Sequence, residues 1–133
     1  MTGANHLIDG LWAGFRGRED AVFAELGDGR RLTYADLDAT SARFAAGLAA
    51  LGVKPGDRVA AQVEKSIEAL MLYLGAVRAG AVFLPLNTAY TPAEIGYFVG
   101  DAEPALLVCD PARAAALAPI AAGVGARLET LGA

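Results

Sequence analysis

At 133 residues the chain has room for one domain rather than two, and with 55% hydrophobic and 20% charged residues it is too apolar for a disordered chain. A net charge of −4, with eleven scattered Lys and Arg, excludes the clustered basic footprint of a nucleic-acid binder. No run approaches the roughly 18 uninterrupted apolar residues of a membrane span, since the longest weakly polar stretch, Ala114 to Val124, is broken by Pro119 and Gly123.

The N-terminus shows no basic region followed by an apolar run, so the expectation is a cytoplasmic protein without a secretory signal. From His6 to Phe15, Leu7, Leu11 and Phe15 fall at i, i+4 and i+8 with Ile8 and Trp12 beside them, one apolar face of a short helix. Ala21 to Leu26 and Arg30 to Leu32 read as two short strands around Gly27-Asp28-Gly29, whose glycines can supply the positive φ of a tight turn.

Thr33 opens the next helix: its hydroxyl can accept from the first-turn amides and Asp36 can answer back. Tyr34, Leu37, Ser41, Phe44, Leu48 and Leu51 then follow at helical spacing, with only Ser41 breaking the stripe and Gly52 stopping the helix. Lys54-Pro55-Gly56-Asp57 has the composition of a type II turn. Arg58 to Val63 is an apolar strand, Ser66 caps a helix running to Ala79 with Gly80 as its stop, and Ala81 to Leu86 is a second apolar strand. Thr91-Pro92-Ala93-Glu94 combines a capping box with proline at the first helical position and leads a helix carrying Ile95, Phe98 and Val99. Ala105 to Cys109 is a third apolar strand, Asp110-Pro111 repeats the cap-plus-proline device before an alanine-rich helix, and Arg127 to Leu131 closes as a fourth.

Strands apolar on both faces and alternating with helices require a sheet covered on both sides. The fold class is therefore α/β: an open, mostly parallel sheet with helices on both faces, preceded by a short N-terminal β-ribbon. Alanine makes up roughly a fifth of the chain, which blurs the periodicity, so the larger apolar residues carry this reading.

Ligands of such sheets sit beyond the C-terminal ends of the strands, here Glu64-Lys65-Ser66, Asn87-Thr88 and Cys109-Asp110. No glycine-rich phosphate loop follows any of them, and Gly123-Val124-Gly125 precedes a strand, the wrong side for one. Ser66, Thr91 and Asp110 read as helix caps rather than catalysts. Glu64 and Lys65 could be acid and base, but neighbours on a strand point to opposite faces. Asn87 and Thr88 stand at the mouth of a central strand, where turn chemistry also accounts for them. Cys109 ends a buried strand and reads as core; as the sole cysteine it forms no internal disulfide. His6 is the sole histidine and, with Cys109, builds no metal site. No catalytic, cofactor-binding or metal residue is assigned.

Two stretches go beyond generic patterning. Leu32-Thr33-Tyr34-Ala35-Asp36-Leu37 resembles the first core motif of the adenylate-forming superfamily, which includes acyl-CoA synthetases, and Leu74 to Asn87 (Leu-Gly-Ala-Val-Arg-Ala-Gly-Ala-Val-Phe-Leu-Pro-Leu-Asn) resembles the second. Gly52 to Ala60 between them matches the family's turn into its first sheet strand. Within that superfamily, Glu64 to Leu70, Pro85 to Tyr90 and Asp101-Ala102-Glu103-Pro104 resemble malonyl-CoA synthetases, the malonate–CoA ligases.

The resemblance implies an N-terminal fragment of a larger adenylating domain, with residues 1–133 as one α/β unit and the C-terminal domain absent. The parent would use MgATP and coenzyme A on a small carboxylic acid, malonate or similar. The phosphate loop, acyl pocket and catalytic lysine of the family have no counterpart positions here, so no catalytic residue is carried over. The fragment alone is then expected to be inactive and to bind neither cofactor tightly. Its partner would be the remainder of the same chain, with self-association through an exposed sheet edge in its absence. The alternative is a complete small non-catalytic binding or scaffold domain derived from such an enzyme.

Overall fold

Where the punctuation is strongest, the chain folds as its sequence indicates. The computed structural model describes residues 6–14 and 16–132. Its elements are α1 (His6–Gly14), β1 (Val22–Glu25), β2 (Arg31–Thr33), α2 (Tyr34–Ala50), β3 (Arg58–Gln62), α3 (Ile67–Arg78), β4 (Val82–Pro85), α4 (Pro92–Ala102), β5 (Leu106–Cys109), a 3-10 turn (Pro111–Arg113), α5 (Ala114–Gly123) and β6 (Arg127–Thr130). Phe15 and the side chains of His6, Leu7, Ile8 and Leu11 lie outside the described residues, and with them most of the apolar face expected of the first helix.

Local chemistry sets the boundaries. Thr33 accepts from the Asp36 amide while the Asp36 carboxylate accepts from the Thr33 amide, and Thr91 and Glu94 make the same reciprocal pair at α4. Ser66 caps α3 by accepting from the Ala69 amide. Gly56 sits at φ +87° with the Asp57 amide donating to the Lys54 carbonyl, as a type II turn requires. In the ribbon turn Gly29 supplies the positive φ at +89°, Gly27 does not take one, and Asp28 accepts from the Arg30 amide. The stop of α4, which no glycine marks, is Glu103 at φ +48° followed by Pro104.

β1 and β2 form an antiparallel ribbon, and β4-β3-β5-β6 form a wholly parallel sheet in that order. Alternation sorts the core into two layers. Val59 and Ala61 of β3 and Leu106 and Val108 of β5 face α2 and α3, meeting Leu48, Leu72 and Ala76. Ala60, Leu107 and Cys109 face α4 and α5, meeting Ile95, Val99, Leu117 and Ala121. Crossovers leading in opposite directions across the sheet thus lie on opposite faces, which keeps them all of one hand. No helix among the described residues is long and apolar enough to cross a membrane.

Ser41, the one polar residue of the α2 stripe, is fully buried. Its hydroxyl donates to the Asp38 carbonyl at 3.1 Å and accepts from Arg78 at 3.2 Å. Arg78 also donates to Asp38 Oδ1 at 2.7 Å and lies over the Trp12 ring, whose Nε1 donates to the same carboxylate. Three helices, α1, α2 and α3, therefore meet on one carboxylate. Partial burial pushes the Asp38 carboxyl up, but hydrogen bonds from Arg78 and Trp12, with the charge of Arg78, outweigh it and hold the group below its ordinary value. A depressed carboxylate stabilises the folded state above its unfolded value and loses that contribution as pH falls through the folded one. Below about pH 4 α1 is expected to loosen before the sheet. Trp12 is the sole tryptophan, so a fluorescence change preceding loss of far-ultraviolet circular dichroism reports it. Coincident transitions would refute the prediction.

Candidate functional site

Strand order reverses between β3 and β5, since the chain leaves β3 for β4 on one side and returns to β5 on the other. Such a switch point opens a crevice beyond the carboxyl ends of the strands, the usual ligand position in open α/β sheets. Glu64, Asn87, Thr88 and Asp110 gather around this end, and a residue not singled out in the sequence, Arg113, joins them. Its guanidinium donates to Glu64 Oε1 at 3.0 Å, to the Thr88 carbonyl at 3.0 Å and to Asp110 Oδ2 at 3.4 Å. The Asp110 carboxylate in turn accepts from the Glu64 amide at 3.2 Å. One side chain thus ties together the loops after β3, β4 and β5.

Two expectations change here. Asp110 makes no side-chain cap hydrogen bond to the turn that follows it; its oxygens are taken by the Glu64 amide and Arg113 instead. Glu64 and Lys65 are not alternating strand residues, because β3 ends at Gln62. Both are exposed, and Glu64 turns to Arg113. Ser66 and Thr91 are caps.

The loop from Leu86 to Tyr90 is held by a second side chain that sequence reasoning missed. Gln62 is 1% exposed, and its amide nitrogen donates to the Asn87 carbonyl at 3.0 Å and the Tyr90 carbonyl at 3.1 Å. The Asn87 side chain accepts from the Ala89 amide, the turn role expected of it. The signal for Gln62 was one amide at the end of an otherwise apolar strand; for Arg113 it was the i, i+3 spacing from Asp110.

Cys109 is fully buried below this network. Burial, reinforced by the Asp110 charge and opposed by Arg113, pushes its thiol up, so it stays protonated at neutral pH and is a poor nucleophile. No group of three or more His, Cys, Asp and Glu among the described residues could hold a metal ion. Glu64, Asp110 and Arg113 pair with one another, and through them the loops after β3, β4 and β5 are fixed.

Elsewhere a polar groove of about 590 Å³ lies at the opposite end of the sheet, lined by Asp57, Arg58, Asp101 and Glu103, and two further grooves are apolar. A groove of about 510 Å³ runs between α2 and β6, and a smaller one of about 280 Å³ lies beside β4, walled by Leu84, Leu86, Tyr90 and Phe98.

The AMP-binding enzyme family matches residues 12–130. The chain is 36% identical over 83 residues to an acyl-CoA ligase of Aspergillus fumigatus, spanning 62% of this chain and 14% of that one. Over 95 residues it is 40% identical to a feruloyl-CoA synthase of Amycolatopsis, spanning 71% of this chain and 19% of that one. Among solved structures, apo MatB from Rhodopseudomonas palustris superposes with a TM-score of 0.82 at 54% identity, over 84% of this chain and 22% of its own. The chain therefore spans less than a quarter of the length of each of these proteins.

Proposed function

Because the chain belongs to the AMP-binding enzyme family, we propose that it is the N-terminal part of an ATP-dependent acyl-CoA synthetase acting on malonate or a close analogue. The observation that carries this reading is the 54% identity to MatB, a malonyl-CoA synthetase, across 84% of the chain. In this reading residues 1–133 are one α/β unit at the front of a larger adenylating domain, working in the cytoplasm.

In the parent reaction a carboxylate oxygen attacks the α-phosphorus of ATP and pyrophosphate departs with the electron pair of the broken P–O bond. The coenzyme A sulfur then attacks the acyl carbon, and AMP leaves. Adenylation is needed because a carboxylate oxygen is a poor leaving group. When bound, magnesium would supply charge neutralisation on the phosphates; no group of three or more His, Cys, Asp and Glu among the described residues could hold it by itself. The contribution of this chain is structural: Arg113 and Gln62 hold the loops at the carboxyl edge of the sheet, and α2 to α5 supply the core behind them. β4 and β6, each paired on one side only, support self-association when the chain stands alone.

Malonate-dependent ATP–pyrophosphate exchange tests the reading. The complete reading frame that contains this chain is expected to catalyse exchange, and residues 1–133 alone are expected to be silent. Exchange by the isolated chain, or none by the complete product, would overturn it.

A further inference from the structure

Three carbonyls of the loop after β4 turn inward onto two donors. Gln62 Nε2 donates to those of Asn87 and Tyr90, at the two ends of the loop. Arg113 Nη1 donates to that of Thr88, at the tip between them. The donors differ in depth: Gln62 is 1% exposed, whereas the Arg113 side chain is 28% exposed and stands at the solvent boundary.

Arg113 directs one nitrogen to each of three loops. Nη1 goes to the Thr88 carbonyl after β4, Nη2 to Glu64 Oε1 after β3 and Nε to Asp110 Oδ2 after β5. A guanidinium is planar, so these three directions are fixed relative to one another. Taking Arg113 away leaves the loop after β4 pinned at both ends by Gln62, with the Leu86 amide still donating to the Ala61 carbonyl. Asp110 still accepts from the Glu64 amide. What goes is the registration of the Thr88–Ala89 tip against the loops after β3 and β5. Fold and tip position therefore depend on different side chains.

The tip borders the crevice at the strand-order reversal, where ligands of open α/β sheets lie. Placement there weighs heavily on rate, since a shift of about 1 Å can cost on the order of 100-fold. We propose that Arg113 is a positioning residue for the reaction of the complete enzyme: it sets the Thr88–Ala89 tip against the crevice, while Gln62 keeps the loop folded. This rests on the reading of the chain as the N-terminal part of an acyl-CoA synthetase.

The test places Arg113→Gln, Arg113→Lys and Arg30→Gln in the complete reading frame that contains this chain. It follows malonyl thioester formation with each substrate varied in turn, thermal unfolding, and amide hydrogen exchange. Arg113→Gln is expected to raise KM roughly tenfold for the substrate that leans on the tip, with kcat within about threefold and Tm within about 2 °C of the unaltered protein. Exchange should quicken at the Ala89 amide and not in β4 or α4. Arg113→Lys keeps the charge and a donor for the Thr88 carbonyl, and should recover most of the lost affinity. Arg30→Gln, whose partner Asp28 lies in the ribbon turn, should match the unaltered protein. A loss of rate that tracks a lowered Tm, unchanged KM for all three substrates, or Arg113→Lys no better than Arg113→Gln would each overturn the positioning role while an active unaltered frame leaves the functional reading standing. Absence of malonate-dependent exchange by the unaltered frame removes that reading, and the positioning role with it.

Discussion

Substituting Gly75→Ala is expected to lower stability by about 3 kcal/mol, at the upper end of typical overpacking costs. Gly75 lies on α3 where it crosses α2, and a Cβ built there falls 2.5 Å from the Phe44 Cβ and 3.0 Å from the Ala45 amide nitrogen. Two of its three nearest neighbours are backbone atoms, so no rotamer change relieves the clash. The helices must part, and Phe44, Leu48 and Leu72 part with them. In an unhindered helix the same exchange stabilises by up to about 1 kcal/mol, because glycine loses more backbone entropy on folding than alanine. Gly96 on α4, with nothing within 4 Å of its Cβ, is the matched control. Urea midpoints should move in opposite directions for Gly75→Ala and Gly96→Ala. A Gly75→Ala chain as stable as the parent would mean that the α2–α3 crossing is looser than described.

Gln62→Glu is expected to cost still more, about 4 kcal/mol at neutral pH, the order found when a buried polar partnership is turned into an uncompensated charge. The substitution preserves shape but replaces a nitrogen that donates to two carbonyls, Asn87 and Tyr90, with an oxygen that repels both. Gln62→Leu should cost less, about 2 kcal/mol, since it leaves the Tyr90 carbonyl without that donor but buries no charge. A carboxyl buried there titrates above its usual range, so the Gln62→Glu penalty is present above that raised value and relieved as pH falls through it. Unfolding at pH 7.5 and pH 5.5 should therefore show Gln62→Glu recovering at the lower pH while Gln62→Leu does not. Hydrogen exchange should rise first in the loop from Leu86 to Tyr90. Equal losses for both substitutions, independent of pH, would remove the donor role.

The part of this fold legible in the sequence is the part written in neighbours. Thr33 with Asp36, Thr91 with Glu94, and Gly52, Gly56 and Gly80 at positive φ act within a few residues of themselves, so their positions mark the element boundaries directly. The switch-point framework is different in kind. Arg113 reaches Glu64 across 49 positions and Thr88 across 25, and Gln62 reaches Asn87 across another 25. Nothing in the local pattern of any of these residues reports the others. Asp110 shows the confusion this causes: its spacing before Pro111 is that of a cap, but a partner distant in sequence claimed its oxygens. The family motifs were readable because they are themselves local, a capped helix start and a helix–strand junction. The groove at β6 was not, because an unfilled space has no residues of its own.

The strand order also bears on how the chain is born. β3, the first strand of the parallel sheet to be synthesised, ends up at an interior position flanked by two strands that follow it. Nineteen residues lie between Gln62 and Val82, where its first neighbour begins. At the usual elongation rate of about 5–20 residues per second, an apolar strand waits unpaired for about one to four seconds. The nascent polypeptide therefore passes through an interval in which a strand destined for the core is left exposed and adhesive, and the speed with which α3 forms and carries β4 into place determines how long that interval lasts.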